Sequence, residues 1–242
     1  MDIEFDILCD LVAEGYAPVS EITFFTSPAV KRIMKQVPLV TKKEFTNAME
    51  PGDIVIAFSA KKQFVRTKHA KFMAKLMATA QGTPYTSSKL VVDKGHVAGY
   101  GIQIIDRPEE NKITIMPKNK FVAARPEMML IRIPELTDAQ KKKTISFVRK
   151  RIGLSYNSSD LFKTAWNRLV GRKLLPFLKD KPMNPEEVNM IQEPLFCSNM
   201  ITLALISAGF TKKFNGKNPW DTWPRDFILA DFTDKLYRID YS

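Results

Sequence analysis

The chain has two cysteines and two histidines in 242 residues, and these scarcities exclude several function classes. Two widely spaced cysteines cannot build a disulfide framework, and together with two histidines they make no zinc-like ligand cluster. No metal and no cofactor are therefore expected. The ten glycines fall in neither GxxxxGK[ST] nor GxGxxG, so neither a phosphate loop nor a dinucleotide fingerprint is present. No run approaches the roughly 18 to 20 apolar residues of a membrane span. The opening MDIEFDILCDLVAEGY lacks the basic and continuous apolar regions of a secretory signal. A reducing compartment is the expectation, either cytoplasm or the interior of a viral particle. Internal repeats and low-complexity tracts are also missing.

What is present is an ordinary globular composition. A hydrophobic fraction of 45% is enough to bury a core without staples, which argues against disorder of the whole chain. The net charge of +11 is unevenly placed. Residues 61–90 carry seven Lys and Arg against no acidic residue, and residues 136–182 carry twelve against three. Two readings fit these blocks: solvated helix faces, or a surface for a polyanion such as nucleic acid, anionic lipid or a cell-wall polymer. Without aromatics set for stacking on a sheet, no sequence-specific nucleic-acid binding is expected.

Periodicity gives a coarse map. FDILCDLVAEGY and SPAVKRIMKQV space their apolar residues by three and four, so a helical N-terminal extension over residues 1–48 is expected. The turn Pro51-Gly52-Asp53 leads into the strand DIVIAF, and FVRTKHAKFMAKLMATAQG reads as a basic amphipathic helix ending at Gly82. KLVVDKGHVAGYGIQII reads as a strand, DRPEENK as a turn, and ITIMP and EMMLIRIP as further strands. TDAQKKKTISFVRKRIG begins a helix at Thr137 or Asp138 and stops it at Gly153. The tail NPWDTWPRDFILADFTDKLYRIDY carries aromatic residues and prolines and closes on a strand. Helices around a short run of strands make the class α+β.

Cys197 starts an apolar helix in EPLFCSNMITLALISAGF and fits two readings. It is a small buried hydrophobe, or it is a thiolate nucleophile stabilised by the helix N-terminus and activated by an imidazole. His96, at the start of a strand, is the imidazole that could serve, and the backbone N–H of Cys197 or Ser198 would then be an oxyanion donor. His69, among basic residues, reads as a solvated histidine. Cys9 reads as core.

The motifs PGDIVIAF, HVAGYGI, MMLIRIPELTDAQ, IGLSYNSSDLF, FCSNMITLALISAGF and WPRDFILADFTDKLYRI follow one another in an order that resembles the circularly permuted branch of the NlpC-like papain-fold hydrolases. These are the YiiX/YycO-like proteins related to lecithin retinol acyltransferase. The resemblance covers about residues 50–242. It implies a permuted papain-like domain over residues 49–242, with a small antiparallel sheet packed by helices. It also implies a thiol hydrolase with Cys197 as nucleophile and His96 as base, acting on an amide or ester such as a peptidoglycan peptide. The family's third polar residue, which orients the imidazole, falls on Thr114 or Gln103, neither of them a carboxylate. Tyr156 matches a family aromatic at the substrate pocket, with Asn157 in the place of the Asp that follows it. The competing expectation is a non-catalytic module that holds a polyanion through residues 61–90 and 136–182.

Overall fold

The computed structural model describes residues 27–58, 85–100, 112–124, 127–155, 185–190, 195–214, 219 and 222–239. It is a mixed α+β protein built on a six-stranded antiparallel sheet. The strands are β1 (Ile54–Phe58), β2 (Tyr85–Val91), β3 (His96–Tyr100), β4 (Ile113–Pro117), β5 (Met128–Arg132) and β6 (Asp234–Ile239), in the spatial order β4-β3-β2-β1-β5-β6. The helices are α1 (Pro28–Gln36), α2 (Lys42–Ala48), α3 (Lys118–Ala123), α4 (Asp138–Arg149), α5 (Pro185–Met190), α6 (Cys197–Ser207) and α7 (Pro224–Leu229). No described helix is long and apolar enough to cross a membrane.

The sheet is buried on both faces, and the two-residue period of its strands sorts the side chains into two cores. Ile54, Ile56, Leu90, Ala98, Tyr100, Met129 and Ile131 face α6 and α4. Val55, Ala57, Val91, Val97, Met128 and Leu130 face the opposite way, against Phe45 of α2 and Phe121 of α3. The run IVIAF is apolar throughout because β1 lies between β2 and β5 with both faces covered. The turn before it forms as expected. Gly52 adopts φ +96°, and the Asp53 carboxylate accepts from Glu50 N–H at 2.8 Å and from Arg132 Nε and Nη2 at 2.7 and 2.8 Å.

The expected N-terminal helices at residues 28–48 are α1 and α2, and both are built into the fold. Val30 and Val37 enter one core, Phe45 and Met49 the other. The link between the helices lies along the edge strand β6, where Val40 N–H donates to Arg238 O at 3.0 Å and Arg238 N–H to Pro38 O at 2.9 Å. The earlier part of the extension, with Cys9, and the basic helix with His69 lie outside the described residues.

Two readings of the sequence differ from the structure. KLVVDKGHVAGY is not one strand, because Asp93 Oδ1 accepts from Gly95 N–H at 2.9 Å and folds the chain back between β2 and β3, as a short Asx turn does. Helix α3 was not expected at all; its six residues follow Pro117 directly. Helix α4 begins as read, with Thr137 and Gln140 forming a reciprocal capping box.

Candidate active site

The turn that breaks the strand delivers a carboxylate to His96. Asp93 Oδ1 lies 2.8 Å from His96 Nδ1, and Asp93 Oδ2 accepts from Arg149 Nη2 at 2.9 Å. An ionised carboxylate only accepts, so this contact assigns the neutral imidazole's proton to Nδ1 and leaves Nε2 as a proton acceptor. Partial burial acts to raise the Asp93 carboxyl. The Gly95 N–H, the His96 hydrogen bond and the charges of His96 and Arg149 outweigh it and hold the group below the ordinary carboxylate value.

This arrangement corrects the expectation for Thr114. Thr114 pairs with Gly99, not with His96, and its Oγ1 is 3.5 Å from Gly99 O. Positions 97 and 99 face away from positions 96, 98 and 100 on a pleated strand, so Thr114 lies on the opposite side of the sheet from the imidazole. The residue at His96 Nδ1 is Asp93, which comes before the histidine in the chain and not on the following strand. The signal for it was the spacing Asp-x-Gly-His, an Asx-turn pattern that puts a carboxylate against a ring three residues on. Gln103, Tyr156 and Asn157 lie outside the described residues.

Cys197 is the first residue of α6 and is 3% exposed. The N-cap residue Phe196 supplies no side-chain hydrogen bond, so neighbouring segments hold the first turn instead. Ser198 Oγ donates to Thr222 O at 2.6 Å and Asn199 Nδ2 to Pro219 O at 2.7 Å. The side chain of Ser198 thus anchors the helix, while its proposed role rests on the backbone. Ahead of the cysteine, Leu195 N–H donates to Tyr100 Oη at 3.3 Å, and that hydroxyl lies 3.4 Å from Ser155 O. Tyr100 is fully buried. Burial pushes its hydroxyl well above the ordinary value, the Leu195 N–H acts in the other direction, and the charge of Cys197 adds to the rise. The alternation of β3 could have pointed to Tyr100, because residues 96, 98 and 100 share a face.

Helices α4 and α6 pack against each other, and one contact beyond their ends indicates their relative direction. Lys212, just past α6, reaches Glu135, just ahead of α4, with a 2.6 Å contact. The start of α6 therefore lies at the end of α4 that carries Arg149. Cys197 and the Arg149–Asp93–His96 chain share one end of the helical layer and one face of the sheet. They are not joined directly: among the described residues no hydrogen bond links His96 to Cys197, and the half-exposed imidazole is turned onto Asp93. Cys197 is in no disulfide. Among the described residues no cluster of three or more His, Cys, Asp or Glu side chains could hold a metal ion.

No family model matches the sequence, and no curated protein matches it either.

Proposed function

We propose that the chain is a thiol hydrolase of the permuted papain-like type, cleaving an amide or ester through Cys197. One juxtaposition carries the reading. A carboxylate-oriented histidine with Nε2 available stands on the same sheet face, and at the same end of the helical layer, as a cysteine opening an apolar helix. Such a group can take a thiol proton, and first-turn N–H groups can hold an oxyanion.

In the proposed cycle the Cys197 Sγ–H proton passes to His96 Nε2 and the thiolate attacks the carbonyl carbon. The tetrahedral oxyanion collapses, the amine or alcohol leaves with the proton from His96, and a thioester remains. Water, deprotonated by the same Nε2, cleaves the thioester to free acid and restores the thiol. Asp93 stays ionised and keeps the ring in the correct tautomer. The imidazole has to swing from its resting position toward Cys197 when substrate enters, as catalytic contacts commonly tighten on binding. The substrate class that fits the family resemblance is an amide, with a peptidoglycan peptide as the leading case. The second reading, a module that holds a polyanion, draws on the exposed lysines of α4.

The test is the rate of Cys197 alkylation by iodoacetamide at pH 7 in a Cys9→Ala background. An unassisted thiol is only about 3% ionised at pH 7, so the wild-type rate should exceed that of a simple thiol by about tenfold or more. His96→Ala should abolish most of the excess. A slow reaction that is indifferent to His96 refutes the hydrolase reading.

A further inference from the structure

Beside the Asp93–His96 pair lies an open groove of about 580 Å³ lined by Val92, Lys142, Ile145, Ser146, Arg149 and Lys150. Residues 142, 145, 146 and 149 fall on one stripe of α4 at helical spacing. Val92 and Ile145 give the groove an apolar floor, and three cations with one hydroxyl form its rim. Asp93 is the carboxylate at that rim, and both its oxygens are already taken by Gly95, His96 and Arg149. Lys142 and Lys150 are exposed and form no ion pair among the described residues. The groove thus has two lysine charges with no ion-pair partner among the described residues, and a guanidinium with further donors beyond the one used on Asp93.

We infer that this groove binds a compact anionic group, a phosphate or carboxylate carried by the substrate, with an adjoining apolar portion resting on Val92 and Ile145. The inference rests on the hydrolase reading for its meaning as a substrate subsite and makes the preferred substrate an acidic acyl compound. Lys142 and Lys150 supply attraction, and Arg149 supplies directed hydrogen bonds. Because Arg149 also holds Asp93, an anion on the guanidinium perturbs the contact between Asp93 and His96. Occupancy of the groove is therefore legible at the imidazole.

The experiment is a titration of the full chain with inorganic phosphate, and separately with acetate, followed by proton–carbon NMR at the His96 Cε1–H. With two histidines in the chain, that resonance is identified by its loss in His96→Ala. A saturable shift in the millimolar range is expected, weakened about tenfold or more by Lys142→Ala combined with Lys150→Ala, both exposed positions. The comparison of phosphate with acetate tells which anion the rim prefers. The inference is overturned if sodium chloride at matched ionic strength gives the same shift, or if the double variant titrates like wild type. It is also overturned, in favour of the polyanion reading, if a short DNA duplex shifts the resonance while both small anions leave it unmoved. The titration needs no thiol chemistry. Binding that persists while Cys197 alkylation ignores His96 refutes the hydrolase reading alone, and normal thiol activation without anion binding refutes the groove alone.

Discussion

At the scale of single residues, Asp93 has the most consequence. Its carboxylate orients His96 and ties that ring to α4 through Arg149. Because its folded value is depressed, it contributes stability that is present in full above the unfolded value of 3.8 and is lost as the pH falls through the folded one. Asp93→Asn keeps the shape and removes the charge. The gap in urea midpoint between wild type and Asp93→Asn should hold steady near neutral pH and shrink as the pH drops below about 4. A gap that stays constant down to strongly acidic conditions would show that the charge adds nothing. Gly99 shows the opposite kind of residue, important for what it lacks. A Cβ there would meet Lys89 Cδ at 2.5 Å, so the fully buried lysine would have to shift to admit it.

At the scale of elements, the joints are made by a few polar groups placed at turns. Asp53 is 3% exposed at the start of β1 and grips Arg132 at the end of β5 through two hydrogen bonds. Arg132 also reaches Ala48 O at 3.1 Å and so draws the end of α2 to the same point. Asp53→Ala strands that guanidinium. Since Arg132 is a quarter exposed and keeps Glu50 beside it, the cost belongs at the low end for a broken buried pair, about 3 kcal/mol in chemical denaturation. Arg151 serves α5 in a similar way, packing over the Phe147 ring at 3.4 Å and donating to Asn189 O at 3.3 Å. Elements whose ends carry such signals were legible beforehand. The Pro-Gly-Asp turn, the Thr137 cap and a closing strand in the tail all lie where local chemistry put them. Helix α3 was not legible, because its six residues are too few for a periodic pattern and depend on burying Phe121 and Val122.

At the scale of the whole molecule, the candidate site is assembled from distant parts of the chain. Pro219 and residues 222–226 close over the start of α6. Trp223 is fully buried and packs 6.1 Å from Phe196, ring centre to ring centre, while Thr222 O and Pro219 O hold Ser198 and Asn199. Removing the indole should therefore loosen the helix that carries Cys197. Trp223→Ala is expected to cost about 3 to 5 kcal/mol in urea unfolding. A cost below about 1 kcal/mol would mean that the closing segment does not bear on the core.

The sequence by itself determined the α+β class, most of the strand positions, the cap of α4 and the two residues worth testing as nucleophile and base. These depend on local spacing and on residue chemistry, which are written along the chain. Only the tertiary structure decided what surrounds those residues. The pleat sends Thr114 to the far face, the Asx turn swings Asp93 back to His96, and the opposed helices bring Arg149 to the end where Cys197 lies. Each of these is a matter of which way a side chain points after the chain has turned, and linear spacing does not encode direction across a fold.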